Sequence, residues 1–251
     1  MRRLGAGVAV LALLIAPASC GSDGAKPSLT VFAAASLKRA FTRYAVRFTS
    51  VRTRLSFAGS DELAAQIRQG IRPDAFAAAD TALPAALHAG RLVGAPTVFA
   101  ANRLALAVPA QSTKVRTLAD LSDRGVTIAI GSPSVPVGSY TRSVLGKLSG
   151  DQSRTILSHV RSNEPDVAGV VGKLSQGAVD AGFVYVTDVR AAGGRLRAIE
   201  LPPPLRPRVA YGIAVVQGSS HEKQARAFIA GLLSGEGRRV LRDAGFEPPP
   251  P

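Results

Sequence analysis

The chain has no tryptophan, one cysteine, one methionine and three histidines among its 251 residues, and only 5% of it is aromatic. Each scarcity removes a class of function. A single cysteine can form neither an internal disulfide nor a cysteine-rich metal site. His88, His159 and His221 are widely separated, and none stands at ligand spacing from another histidine or from the cysteine. So few aromatics leave little for stacking nucleobases, and no run of five or more lysines and arginines occurs, although the formal net charge is +14. No nucleic-acid partner is expected. The phosphate loop G-x-x-x-x-G-K-[ST] is absent, and Gly131-Ser132-Pro133 places proline where such a loop needs a backbone donor. The nucleophile elbow G-x-S-x-G is missing at both Ser36 and Ser60, so a secreted serine hydrolase using either residue stands only as an alternative without its motif. No enzyme is expected, and no cofactor.

A hydrophobic share of 46% with 19% charged residues is ordinary globular composition. The first segment is different. Arg2 and Arg3 precede an apolar stretch at 8–15 and then Ala16-Pro17-Ala18-Ser19-Cys20, the order of a secretory signal. The stretch is too short to span a bilayer comfortably. It is read as a signal peptide at 1–19, followed by a lipidated N-terminus and tether at 20–27. The only cysteine falls where the signal would be cut, which resembles the lipobox of bacterial lipoproteins, with Pro17 in place of the usual leucine. Acylation would also dispose of an unpaired thiol in an oxidising compartment. Removing Arg2 and Arg3 with the signal leaves +12, which suits mild steering of anions and names no ligand.

From residue 28 onward, strand-like and helix-like segments alternate, the pattern of α/β folds. The run 29–34 reads as a buried strand. Leu37, Ala40, Phe41, Tyr44, Ala45 and Phe48 follow at helical steps, with Ser36 just before them in an N-cap position. A strand at 54–57 leads through Ala58-Gly59-Ser60 into a helix at 61–69, closed by Gly70. A strand at 74–79, a helix at 81–89 and an extended stretch at 102–109 complete the first set. The second set has strands at 126–130 and 181–185, the latter ending in a loop, and helices at 138–148 and 165–176. An extended stretch at 209–216 and helices at 221–235 and 237–244 close the chain. Two α/β units joined by two extended segments predict two lobes with a double crossing: lobe 1 at 28–105, lobe 2 at 106–210, a return to lobe 1 at 211–247 and a disordered tail at 248–251. Such a body can hinge and close over a ligand held between its lobes.

Small or hydroxyl residues recur where strands feed helices: Ser36, Ser60, Val137 with Gly138, and Asp166 with Val167. A helix start leaves backbone N–H groups without intrahelical partners and carries partial positive charge. Any one such start can be an ordinary cap. Four of them, two in each expected lobe, predict a shared anion site.

Several motifs then resemble the bacterial molybdate-binding proteins of the periplasmic binding protein family. Leu-Thr-Val-Phe-Ala-Ala-Ala-Ser-Leu at 29–37, Phe-Ala-Gly-Ser-Asp-Glu-Leu-Ala-Ala-Gln-Ile at 57–67 and Pro-Asp-Ala-Phe-Ala-Ala-Ala-Asp at 73–80 are similar to the family's first-lobe motifs. Gly-Ser-Pro-Ser-Val-Pro-Val-Gly-Ser-Tyr at 131–140 and Ala-Gly-Phe-Val-Tyr-Val-Thr-Asp at 181–188 are similar to those of its second lobe, and Asp-Ala-Gly-Phe at 243–246 to its C-terminal end. The resemblance implies a monomeric, extracytoplasmic protein that delivers its ligand to an ABC permease and its ATPase. It also implies that molybdate or tungstate is held by two serine hydroxyls, Ser36 and Ser60, by the backbone amides of Val137 and Val167, and by the hydroxyl of Tyr185. No direct metal ligand is implied. Asp61, after Ser60, is expected to face solvent, and Lys38, Arg39 and Arg142 to serve at the surface. A sulfate or phosphate binder is the nearest alternative, and selection against sulfate would rest on its smaller size.

The signal reading has its own test. Cys20→Ala is expected to move the protein from the membrane fraction to the soluble extracytoplasmic fraction, as followed by immunoblotting. A variant that stays with the membrane would refute the lipobox.

Overall fold

The computed structural model describes residues 28–250, so the signal segment at 1–19, Cys20, the tether and Pro251 lie outside the described residues. The first apolar run becomes β1 (Ser28–Ala34), buried continuously from Val31 onward. Near-continuous apolarity is what a strand needs when helices cover both faces of its sheet. β1 pairs in parallel with β2 (Arg52–Ala58) on one side and with β3 (Ala75–Ala78) on the other. β2 forms the sheet edge, where exposed Arg52 and Arg54 guard the open ladder. The connecting helices are α1 (Lys38–Arg47), α2 (Ser60–Arg68) and α3 (Ala82–Ala89). Gly70 follows α2 at φ 101°, a left-handed turn that a side chain would strain.

The extended stretch expected at 102–109 is β5 (Leu104–Pro109) together with the last residue of β4 (Thr97–Asn102), a strand the sequence reading did not place. β4 is the far edge of the first sheet, whereas β5 already lies in a second. That second sheet also holds β6 (Ile128–Gly131), β7 (Val160–Glu164), β8 (Ala181–Tyr185) and β9 (Leu196–Glu200). Its helices are α4 (Pro136–Leu145), α5 (Gly150–Ser158), α6 (Val167–Ser175) and α7 (Val186–Ala191). The chain returns as β10 (Val209–Val215) and ends with α8 (Glu222–Leu233) and α9 (Gly235–Ala244).

Both sheets follow one plan. The orders are β2-β1-β3-β10-β4 and β7-β6-β8-β5-β9, each with three parallel strands, then one antiparallel strand, then an edge. The antiparallel strand arrives from the other sheet in each case: β5 immediately after β4, and β10 after residues 201–208, which include a 3-10 turn at Pro203–Leu205. Each crossing strand is therefore built into the interior of the lobe it enters.

Four further elements depart from the sequence reading. β7 and β9 are edge strands with few apolar residues, so ladder pairing rather than periodicity defines them. α5 buries only Ile156 and is set by its cap, the Ser149 hydroxyl accepting the Gln152 N–H. Where a loop was expected after β8, α7 begins at once, and its six residues are too few to show a period.

Few as they are, the aromatic rings are concentrated. Phe228 of α8 meets Tyr44 at 4.7 Å, Phe48 at 5.3 Å and Phe41 at 5.7 Å between centroids, and the Tyr44 hydroxyl donates to the Phe228 carbonyl at 3.1 Å. The ring path continues from Phe41 to Phe99, Tyr211 and Tyr185, reaching from the α1/α8 layer to the space between the sheets. Phe228→Ala is expected to destabilise the protein by about 3–5 kcal/mol in denaturant unfolding, as a buried ring lost from a close-packed core should. A loss under about 1 kcal/mol would mean that this layer does not hold the lobe together.

Candidate functional site

The carboxyl ends of β1 and β2 and those of β6 and β7 each feed a turn or helix start, and these starts face one another. Crevices outside the carboxyl ends of parallel strands are where open α/β sheets receive ligands. β1 runs into a 3-10 turn, Ala35–Leu37, before α1, and β2 runs through Gly59 into α2. β6 leads through a short loop into α4, and β7 into α6. The cavity between them is small, about 20 Å³, and is lined by Ser36, Ser60, Val137, Val167 and Tyr185 together with small residues. The structure therefore brings all five sequence-expected residues to one place. That volume accommodates a compact ion, whereas drug-sized ligands occupy roughly 300–1,000 Å³.

The two serines do not act as helix caps, contrary to the sequence reading. Ser36 lies inside the 3-10 turn, and its hydroxyl meets the Tyr211 hydroxyl at 3.0 Å. Ser60 is the first residue of α2, with Gly59 as the N-cap, and its oxygen accepts the Ala79 N–H at 3.1 Å. No side chain caps α2 or α4. α4 begins with Pro136, which has no N–H, so Val137 supplies the first amide of that helix. At α6 the Asp166 carboxylate accepts the Gly169 N–H, which leaves the amides of Val167 and Ala168 beyond that cap. Tyr185 ends β8 fully buried, and its hydroxyl has no hydrogen-bond partner among the described residues. A buried orphan hydroxyl costs free energy unless something else satisfies it.

The lining carries no lysine, arginine or histidine. Its one carboxylate, Asp166, is engaged at α6. Burial raises the phenols of Tyr185 and Tyr211 well above their ordinary range, so both remain neutral donors. Lys38 and Arg39 line an adjoining hollow with Arg43 and Arg195, which shares Ala35 and Ser36 with the cavity and gives its flank a positive potential. Arg142 instead donates to the carbonyls of Gly131 and Gly138 and to Asn163 Oδ1, so it ties down the β6–α4 loop. Asp61 does not turn wholly to solvent as expected: one of its carboxylate oxygens is buried without a hydrogen-bond partner.

Gly59 marks where the two lobes meet. A Cβ there would stand 2.5 Å from the Pro165 carbonyl oxygen and 3.4 Å from Val135 Cγ1, both across the cleft. Only a bare backbone allows this approach. Sequence reasoning missed Tyr211 and Asn102, which join the site from β10 and β4. Their signals were slight: a tyrosine before glycine in an apolar run, and one amide ending a strand.

Two α/β lobes joined by two crossings, closing on a small cavity lined by neutral donors, define a solute-binding protein of the periplasmic binding protein fold. Residues 29–247 match the family of bacterial extracellular solute-binding proteins, and the chain belongs to that family. It is similar to the molybdate-binding protein ModA of Mycobacterium tuberculosis, with 36% identity over 96% of each chain. Among solved structures it is similar to the periplasmic molybdate-binding protein of Azotobacter vinelandii, with a TM-score of 0.79 and 21% identity over 88% of this chain and all of that one. It also resembles the sulfate-binding protein SubI of Mycobacterium tuberculosis, with a TM-score of 0.78 and 21% identity over 88% of this chain and 86% of that one. Membership of a binding-protein family places this chain among carriers and not among enzymes, which sets aside the hydrolase alternative. Among the described residues no helix is long and apolar enough to cross a membrane.

Ser60→Ala removes one hydroxyl from the cavity and the acceptor of the Ala79 N–H. It is expected to weaken oxyanion binding by about 1–3 kcal/mol while the protein remains folded, as for a lost hydrogen bond to a charged group. Unchanged affinity in calorimetry would exclude Ser60 as a ligand.

Proposed function

We propose that the protein captures molybdate, and with it tungstate, outside the cytoplasm and delivers it to an ABC permease driven by its ATPase. The observation that carries this reading is the small cavity in which three hydroxyls and several helix-start amides converge without a cation. Capture of an anion there replaces water by neutral donors at short range. Each hydrogen bond to a charged group contributes roughly 1.5–3 kcal/mol, so about seven suffice for sub-micromolar affinity after the costs of association. The likeness to ModA over nearly the whole chain supports molybdate as the oxyanion. The ligand set comprises the hydroxyls of Ser36, Ser60 and Tyr185 and the amides of Val137 and Val167, with further unpartnered amides of the lining helix starts bringing the bonds to about seven. No cofactor takes part.

Size is the proposed basis of selection. Donors fixed on rigid strand ends and helix starts can all reach an anion with long metal–oxygen bonds, while a smaller sulfate leaves some of them unsatisfied. Tungstate, of nearly the same size as molybdate, is accepted alike. The same reading has the protein acting as a monomer held to the membrane through an acylated Cys20.

Thermal unfolding in the presence of molybdate, tungstate, sulfate or phosphate tests the assignment, because a ligand that binds only the folded state raises the melting temperature. Molybdate and tungstate are expected to raise it at micromolar concentration, with sulfate and phosphate far less effective. A shift confined to sulfate or to phosphate would transfer the assignment to that ion.

A further inference from the structure

Behind the cavity, four buried side chains form a hydrogen-bonded chain whose direction can be worked out atom by atom. Asn102 ends β4, one residue before the crossing. Its Oδ1 accepts the Arg103 N–H at 2.9 Å, and the opposite orientation of the amide would set donor against donor. Its amide nitrogen therefore faces the other way and donates to Thr187 Oγ1 at 2.8 Å and to the Tyr211 hydroxyl oxygen at 3.3 Å. The Tyr211 hydroxyl accepts there, and among the described residues its only other partner is Ser36 Oγ, 3.0 Å away, so the arrangement that leaves no buried proton unsatisfied has Tyr211 donating to Ser36. Ser36 Oγ is thus engaged as an acceptor, and its single proton remains for the cavity that it lines.

We propose that Asn102 and Tyr211 are positioning residues that fix the polarity of this chain, so that Ser36 presents a proton and never a lone pair to the bound oxyanion. This rests on the oxyanion-binding reading of the cavity. Left alone, a serine hydroxyl rotates and can offer either face. Here rotation is blocked from behind. The other serine is arranged alike, since Ser60 Oγ accepts the Ala79 N–H and retains its own proton. The backbone supports the same arrangement, because the pairing of β10 with β4 shifts register between Tyr211 and Gly212, the kind of irregularity that re-aims a side chain. Tyr211 is fully buried, and its ring packs on Tyr185 at 5.9 Å, so one residue touches a proposed ligand of each lobe. Through Thr187 of α7 the chain extends into the second lobe, and Asn102 places its centre at the crossing itself.

Molybdate titration by calorimetry on four proteins tests the proposal: wild type, Tyr211→Phe, Ser36→Ala and the double variant. Tyr211→Phe keeps the ring and its contacts with Phe99, Tyr185 and Phe246. It is expected to weaken binding about fivefold, the worth of one modest hydrogen bond. In the Ser36→Ala background the same change is expected to cost less than about twofold, because the two residues act through one another. Asn102→Asp provides a second variant, in which a carboxylate draws the Tyr211 proton toward itself and turns Ser36 to donate backward. Its loss of affinity is expected to be at least about tenfold greater with Ser36 present than with alanine there, the residual loss being direct charge repulsion. Equal losses in both backgrounds, or no loss in Tyr211→Phe, would overturn the proposal while leaving the oxyanion reading intact. A wild-type protein that binds no oxyanion would remove the reading and the proposal together.

Discussion

An anion moved from water into a narrow cavity gives up much of its hydration shell, and the wall must replace that shell without a countercharge. This constraint explains the site more fully than any single residue does. The lining contains no basic side chain. What it has instead is hydroxyls kept neutral by burial and helix starts whose amides have no partners within their helices. A fixed cation would hold many anions, largely indifferent to their shape. Neutral donors are short-ranged and directional, so they favour the ion that touches all of them at once. The basic residues lie to one side, where they raise the local concentration of anions without selecting among them.

The fold meets this requirement by building one plan twice. Parallel strands β1 and β2 end opposite β6 and β7, and each pair directs its helix starts toward the shared gap. Because β5 and β10 sit inside the sheets they cross into, each connection between the lobes is anchored in a hydrogen-bonded ladder where it enters. Asn102, at one of these crossings, is bonded to both lobes. The geometry of the hinge and that of the site are therefore set by some of the same atoms.

Much of this was legible in the sequence, for physical reasons that differ by element. Strands buried on both faces, such as β1, β3 and β8, show as apolar runs, and α1 shows its stripe from Leu37 to Phe48. The positions of Ser36, Ser60, Val137 and Val167 were readable because strand-to-helix turns leave short, distinctive punctuation. Tyr185 was found only through the resemblance of its motif. Edge strands β7 and β9 left no period, and α7 was too short to have one. The role of each serine was misread, since capping is a local property while the contacts of Ser36 to Tyr211 and of Ser60 to Ala79 span 175 and 19 residues. Tyr211 and Asn102 were invisible for the same reason. Nothing near them in the chain reveals a partner that far away.

Gly59 carries a kinetic consequence. Where it faces Pro165 and Val135, the halves meet backbone to backbone and against one methyl group, while the longer side chains that bridge the lobes, Arg39 and Arg190, lie elsewhere along the seam. Parting them at this point requires no rotamer to swing aside, whereas the bond from Arg39 to the Arg190 carbonyl and the one from Asn102 to Thr187 bridge the lobes beyond it. The rate at which the halves part is then set by those bridging bonds and by the two crossings, and not by the glycine contact itself.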